Sequence, residues 1–404
     1  MPWVFRILLT FMPLFLLGYI YSGWKLFNGI NHVLGWPVDQ VRFYLISILG
    51  YINCYPMLLL LLHALRLNRI AKSAREGNWF WDVLFGYPFW IGVIYLIEVI
   101  PWLLAIDIIK FPLYPIYKKY STHWLNIQHH VVLSVFAVYL IYVIFKVLAD
   151  TVRMPVSKIA LTFRNLPLSL DGLKIVHISD IQADSRTRKR KIRRYIKKIN
   201  RLRPHLIFFT GDLVTTGAKY IQLAAAELGN LRAKYGTYAC LGDHDYWADA
   251  KNVMNCLNES GIKILEDSNQ FIRVGNESLL VTFITNIYNK RPILDKLNFL
   301  MGQQPRGVLD IVLTHQPSES LIESAADKGY HLFLAGHTHG GQMVFRPFGF
   351  TIAAPLFESR FFRGTYNVER MLVNINNGLG FSLAPVRYNA PAEISLIKIV
   401  RSIV

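Results

Sequence analysis

Five short apolar runs in the second half of this chain each end on an aspartate or a histidine, and that recurrence restricts its fold more than any other feature. The run ends carry, in order, Ser179-Asp180-Ile181-Gln182, Gly211-Asp212-Leu213, Gly242-Asp243-His244-Asp245, Thr314-His315 and Gly336-His337-Thr338-His339. Residues 173–178 read as a buried strand, a basic amphipathic helix follows, and Leu206-Ile207-Phe208-Phe209 completes a β-α-β unit. Residues 237–241, 311–313 and 332–334 supply further strands. In an open α/β sheet, ligands gather beyond the carboxyl ends of the strands, so side chains far apart in sequence meet at one edge. Taken singly, each residue has a plainer role: Asp180 and Asp212 as helix N-caps, His315 as a structural histidine. Repetition across one domain points instead to a shared set of oxygen and imidazole metal ligands.

The first half is different in kind. The chain has 404 residues, of which 53% are hydrophobic and 17% charged, and the apolar excess lies before about residue 149. Four runs, 3–24, 43–65, 79–106 and 131–149, approach or exceed the roughly 20 residues a spanning helix needs. Trp3, Trp24, Trp79, Trp81 and Trp102 stand near their ends, where aromatic belts form, and neighbouring helices tolerate Pro56 and Pro101. A cleavable signal peptide, with Arg6 as its basic end, is the other reading of the first run. Its length and the three runs that follow weigh against that. The expectation is a multi-pass α-helical membrane region of about four spans at 1–152. An α/β domain follows at 153–404, across a short linker marked by Pro155. Between 66 and 78, Arg66, Arg69, Lys72 and Arg75 face Glu76 alone, which predicts a cytoplasmic connection. With four spans, both ends and the α/β domain are then cytoplasmic, at the inner membrane of a cell. Lys110, Lys118 and Lys119 argue weakly the other way. Three scattered cysteines, Cys54, Cys240 and Cys256, make no disulfide framework and suit a reducing compartment.

Residues 186–203 hold eleven Lys/Arg and no acid, while Ile192, Tyr195, Ile196, Ile199 and Leu202 recur at helical spacing. A solvated face is the usual meaning of such a run. The missing acids and a formal net charge of +18 favour anionic membrane lipids as its partner. Nucleic acid is not expected, because no interleaved stacking aromatics accompany the charge.

The Asp/His segments resemble, in order, the D-x-H, G-D, G-N-H-[DE], later His and G-H-x-H motifs of the calcineurin-like metallophosphoesterases. The resemblance runs over about residues 173–399 and implies a four-layer α/β/β/α sandwich. Residues 336–342 and the tail at 385–393 are similar to a bacterial membrane-linked branch, which includes enzymes similar to the UDP-2,3-diacylglucosamine pyrophosphohydrolase of lipid A synthesis. By position, the resemblance implies one metal on Asp180, Asp212 and His339 and a second on Asp212, Asp243, His315 and His337, with Asp212 bridging. Manganese is the expected ion, with iron, zinc and magnesium as alternatives. Two cations roughly 3.5–4 Å apart lower the pKa of a bridging water, which attacks as hydroxide, and neutralise charge on an in-line displacement at phosphorus. His244 is then the general acid and Asp245 the carboxylate that orients it. Two positions depart from the pattern. Gln182 stands where the family has a ligating histidine, so the first ion should be looser or completed by water. Asp243 stands where it has asparagine and should tighten the second.

The implied activity is a membrane-integral, two-metal phosphoesterase cleaving a phosphodiester or pyrophosphate, on a lipid-linked nucleotide such as UDP-2,3-diacylglucosamine. A soluble phosphoester and a noncatalytic membrane scaffold with a degraded site are the competing readings. Glu98 and Asp107 in or near the third run are expected to pair or to lie at the interface. His129 and His130 are expected to be interfacial. Arg387 and Asn389 either line the cleft or belong to a structural tail.

Overall fold

The computed structural model describes residues 3–67, 79–110, 112–164, 166–288, 290–302, 306–382 and 384–402. They form two compact units, one of residues 1–149 with two later segments, Phe345–Thr351 and Leu383–Asn389, and one of the remainder.

The first unit is helical: α1 (Trp3–Leu34), α2 (Val38–Ala64), α3 (Tyr87–Ile109) and α4 (Ser121–Val152). A helical turn, Trp79–Trp81, and a π-helical turn, Asp82–Gly86, lead into α3. Among the described residues three stretches are long and apolar enough to cross a membrane, Val38–Ala64, Asp82–Ile109 and Ser121–Val152. Helix α1, expected as a further span, is 32 residues long. Phe43, Ile46, Ile141 and Phe145 stand exposed on the helices, which is costly in water and favourable in hydrocarbon. Inside, a Cβ on Gly92 would stand 2.5 Å from the Ile52 side chain, so the small residue lets α2 and α3 close together. Asp107 pairs with Lys25 and Lys110, and Glu98 accepts a hydrogen bond from Tyr388 at 2.8 Å. The basic connection on which the orientation rests lies, over residues 68–78, outside the described residues.

In the second unit two six-stranded sheets carry the site. The first holds β1 (Val156–Phe163), β2 (Lys174–Ile178), β3 (Leu206–Phe209), β4 (Thr237–Ala239), β5 (Lys263–Ile264) and β12 (Ile394–Arg401), in the order β1-β12-β2-β3-β4-β5. The second holds β6 (Ser268–Val274), β7 (Glu277–Ile284), β8 (Leu309–Thr314), β9 (Leu332–Ala335), β10 (Gly364–Val368) and β11 (Met371–Ile375), in the order β10-β11-β9-β8-β7-β6. Both are mixed. Strands β2 to β5 run parallel in the first sheet, as do β7, β8, β9 and β11 in the second.

Three apolar cores separate four layers. Between the sheets, Ile175, Leu206 and Phe208 of the first meet Leu279, Val281, Ile311 and Leu334 of the second. Helices α5 (Lys189–Arg201), α6 (Ile221–Leu228) and α7 (Asp243–Glu259) cover the outer face of the first sheet through Ile192, Ile196, Ala224 and Val253. Helices α8 (Leu294–Gly302) and α9 (Glu319–Asp327) cover the second through Met301, Leu321 and Ile322. The strands read as nearly unbroken apolar runs because both faces are buried.

Helix α4 continues to Val152 and β1 begins at Val156, so Arg153-Met154-Pro155 is the connection. Residues 345–351 and 383–389, expected within the α/β domain, cluster instead with the first unit. There Phe348 lies against Trp102 at 5.0 Å and Phe345 against Tyr388 at 5.7 Å. Arg387 is fully buried, and Asn389 adopts φ 55°.

Candidate metal centre

The ligand-type residues stand on the first turns beyond β2, β3, β4, β8 and β9, at the carboxyl ends of parallel strands. Their backbone is unusual. Asp180, Asp212, His337 and His339 all adopt left-handed φ, from 50° to 70°, and Gln182 has φ 48°. Non-glycine residues enter that region rarely and at a cost of about 1–3 kcal/mol each, which a rigid surround must enforce. The surround is close: a Cβ on Gly336 would fall 2.6 Å from Asp180 Oδ2, and one on Gly242 2.1 Å from Asp212 Oδ1. Only glycine lets these loops approach the carboxylates.

The side chains converge. His315 Nε2 lies 2.8 Å from Asp243 Oδ1 and 3.5 Å from Asp212 Oδ2, and its Nδ1 donates to Thr210 O at 2.6 Å. His337 Nδ1 is 3.1 Å from Asp243 Oδ1 and 3.2 Å from His315 Nε2. The His337 backbone N–H donates to Asp180 Oδ2 at 3.0 Å, and His339 Nε2 is 3.4 Å from Asp180 Oδ1. Two sets of ligand atoms fall within 4.8 Å of one another: Asp243, His315 and His337, and Asp180, Asp212 and His315. His315 is common to both sets, but one imidazole lone pair serves one ion, whereas the two oxygens of Asp212 can face two. His339 stands beside the second set through Asp180.

Charge and orphaned atoms suit cations. Burial pushes the Asp212 carboxyl well up, and neighbouring Asp243, Asp180 and Asp245 add to it against the pull of His315. Burial also opposes ionisation of Asp180, but His339, His315 and His337 outweigh it and hold that group below its usual range. His315 is pulled well up by Asp212 and Asp243 in spite of its burial. Such a cluster does not ionise completely without added positive charge, which two divalent ions supply. Asp180 Oδ1 and Gln182 Oε1 are buried without a hydrogen-bond partner. A buried acceptor left so costs about 1–3 kcal/mol unless a ligand satisfies it. Gln182 Nε2 donates to Asp212 Oδ2 at 2.6 Å, which turns Oε1 away from that carboxylate.

Asp245 does something other than orient His244. Its carboxylate accepts the backbone N–H groups of Asp212 and Leu213, each at 2.8 Å, and of Gly242 at 3.0 Å. It therefore ties the β3 exit loop to the start of α7, and burial pushes its pKa up to about 6. The His244 ring is oriented by a carbonyl instead: Nδ1 lies 2.5 Å from Thr215 O and must carry the proton, since a carbonyl only accepts. Nε2 keeps the lone pair, and burial holds the ring below the ordinary histidine pKa. Buried between the β3 exit loop and the start of α7, the Asp245 carboxylate satisfies two donors of the loop and one of the helix start, and so turns away from the imidazole.

Several members of the centre carried no sequence signal. Tyr288 Oη is 3.3 Å from His337 Nε2 and donates to Glu358 at 2.9 Å. His177, inside β2, hydrogen-bonds Asn374 at 2.7 Å and Thr210 at 3.0 Å, linking the sheets beneath the site, and burial pushes its pKa down to about 4. Only the polar residues following β7, Asn286 among them, continue the strand-exit pattern and hint at Tyr288.

Residues 173–341 match the calcineurin-like phosphoesterase family. The chain carries a calcineurin-like metallophosphoesterase domain. An uncharacterised metallophosphoesterase of Campylobacter jejuni is 28% identical over 304 residues, covering 73% of this chain and 76% of that protein. A transmembrane protein with metallophosphoesterase domain from Danio rerio is 30% identical over 256 residues, covering 61% of this chain but 56% of its own length. An uncharacterised metallophosphoesterase of Bacillus subtilis is 28% identical over 235 residues, covering 57% and 80%. This chain thus spans just over half of the zebrafish relative. The metallophosphoesterase domain is that of metal-dependent phosphoric ester hydrolases, which bind two divalent ions, and the apolar helices before it associate the chain with membranes.

Proposed function

We propose that this chain is a multi-pass membrane phosphoesterase that cleaves a phosphodiester or pyrophosphate in a lipid-linked substrate, with its domain on the cytoplasmic side. One observation carries the reading. The metal centre is rimmed, within the same unit, by exposed apolar and aromatic side chains. Trp247 packs on the His244 ring at 4.8 Å, Tyr288 on His337 at 5.1 Å, and Phe357, 89% exposed, precedes the Glu358 that holds Tyr288. Acyl chains give such a rim more apolar area to bury than a short water-soluble phosphoester does.

Asp180, Gln182, Asp212, Asp243, His315, His337 and His339 would hold two divalent ions, manganese first among the candidates. When bound, such ions activate water and neutralise charge at phosphorus. The chain's own residues do the rest. Thr215 fixes the His244 tautomer so that Nε2 faces the leaving oxygen, to which a protonated ring gives its proton. Asp245 keeps the β3 and β4 exit loops in register. Tyr288, its hydroxyl held by Glu358, packs against the His337 ring and steadies it. The β-sheet scaffold holds each group before substrate arrives, so little reorganisation is left for the reaction. A lipid-linked nucleotide such as UDP-2,3-diacylglucosamine fits this rim and the preceding helices.

Purified full-length protein with Mn²⁺, assayed against lipid-linked and short soluble phosphoesters, tests the proposal. Metal-dependent turnover several-fold faster on the lipid-linked set is expected. Preference for soluble esters would remove the lipid assignment, and no hydrolysis of any ester would remove the activity.

A further inference from the structure

A second polar site lies wholly within the helical unit. A cavity of about 460 Å³ opens between α1, α4 and the end of α3, lined by Lys25, Asn31, His32, Lys110, Gln128 and His129. In an apolar helix bundle such side chains are costly, and they tend to mark binding paths. Lys25 is buried, yet its carboxylate partner, Asp107, is shared with Lys110 at 3.0 Å and with the Tyr21 hydroxyl at 2.7 Å. Two ammonium groups on one carboxylate leave the cavity with a net positive charge. The His32 and His129 rings lie tilted against each other beside it, their centroids 4.7 Å apart. Gln128 and Asn31 line the cavity as well, and their side-chain oxygens are buried without a hydrogen-bond partner.

We propose that this cavity binds a phosphate group, most simply that of a phospholipid headgroup. The phosphate offsets the uncompensated charge of Lys25 and Lys110. The side-chain amides of Gln128 and Asn31 line the same cavity and can donate to the phosphate oxygens. Basic pockets between membrane helices recognise headgroups in this way. The site shares no residue with the metal centre. Along α4 it stands on the order of 30 Å, at 1.5 Å per residue, from the carboxyl end of that helix.

Trp24 also lines the cavity, with Lys25 Nζ 5.2 Å from its ring, and reports on occupancy. The full chain in uncharged detergent, with chelator present to silence the metal centre, is titrated with dihexanoyl phosphatidylglycerol and separately with inorganic phosphate. A Trp24→Phe chain supplies the fluorescence background. A saturable Trp24 response to the lipid with little to millimolar phosphate assigns a headgroup, and saturation by both assigns phosphate from either source. Lys110→Gln and Gln128→Leu should each weaken the affinity tenfold or more, with unchanged circular dichroism. Lys25 is left intact because it is buried in the helical unit, whereas Lys110 is partly exposed. No saturable response to either probe, or equal affinity in both folded variants, overturns the site.

Discussion

His244 and Asp245 are neighbours in sequence with opposite duties, and single substitutions should separate them. With Nδ1 on Thr215 O, His244 contributes through Nε2 and not through the fold. His244→Ala should leave metal content and melting temperature nearly unchanged while lowering turnover by about 10²–10⁴. The loss should shrink for esters with good leaving groups, which need less protonation; equal losses would take His244 out of the acid role. Asp245→Ala removes a buried acceptor from three backbone N–H groups and should destabilise the domain by at least about 2 kcal/mol, read by chemical denaturation. A variant as stable as the parent, with only turnover lost, would return Asp245 to the catalytic group. Gln182→His should tighten the looser ion, since imidazole is a better ligand than an amide oxygen for transition metals. Calorimetric Mn²⁺ titration showing no change would mean that Gln182 Oε1 meets no ion.

At the scale of one element, α5 shows how a charge run divides its labour. Ile192, Tyr195, Ile196 and Ile199 are buried against the first sheet, so the helix exists because its apolar stripe packs. Lys189 and Arg193 pair with Glu227 of α6 at 3.3 Å and 2.8 Å, an acid that the local sequence did not reveal. Arg190, Arg194 and Lys197 stand exposed beyond that pair. Glutamate at all three positions should slow hydrolysis of a vesicle-embedded substrate several-fold at low salt. The deficit should be smaller at high salt, where the attraction is already screened over about 8 Å or less. A short soluble phosphodiester should be turned over as before. Equal losses on both substrates would make α5 a support of the site, and no loss on either would make its outer face merely solvated.

For the whole molecule, metal and stability are linked. Ligands that bind only the folded state stabilise it, by about 2.7 kcal/mol at a hundredfold excess over Kd. Mn²⁺ should therefore raise the melting temperature of the full chain by several degrees, and Asp212→Asn should erase most of that gain. An unchanged transition in saturating Mn²⁺ would mean that the centre holds no ion in the folded protein. The strained left-handed turns at five candidate ligand positions belong to the same balance, because the sheets and glycines hold them in place.

Much of this protein is determined by local pattern. Buried parallel strands read as apolar runs, and ligands beyond strand ends follow from sheet geometry, so β2, β3, β8, β9 and their Asp and His residues are legible one segment at a time. Helices long enough to cross a bilayer need only length and hydropathy. What tertiary structure alone decided is pairing. Whether Asp245 faces an imidazole or three backbone donors depends on where the β3 loop meets the start of α7. Tyr288 reaches His337 only because two loops meet across the second sheet, and Glu227 reaches α5 only because α6 packs beside it. The same holds for residues 345–351 and 383–389, which join the helical unit through Trp102 and Glu98, far away in sequence. Sequence determines what a side chain can do, and the closing of distant segments determines which partner it does it with.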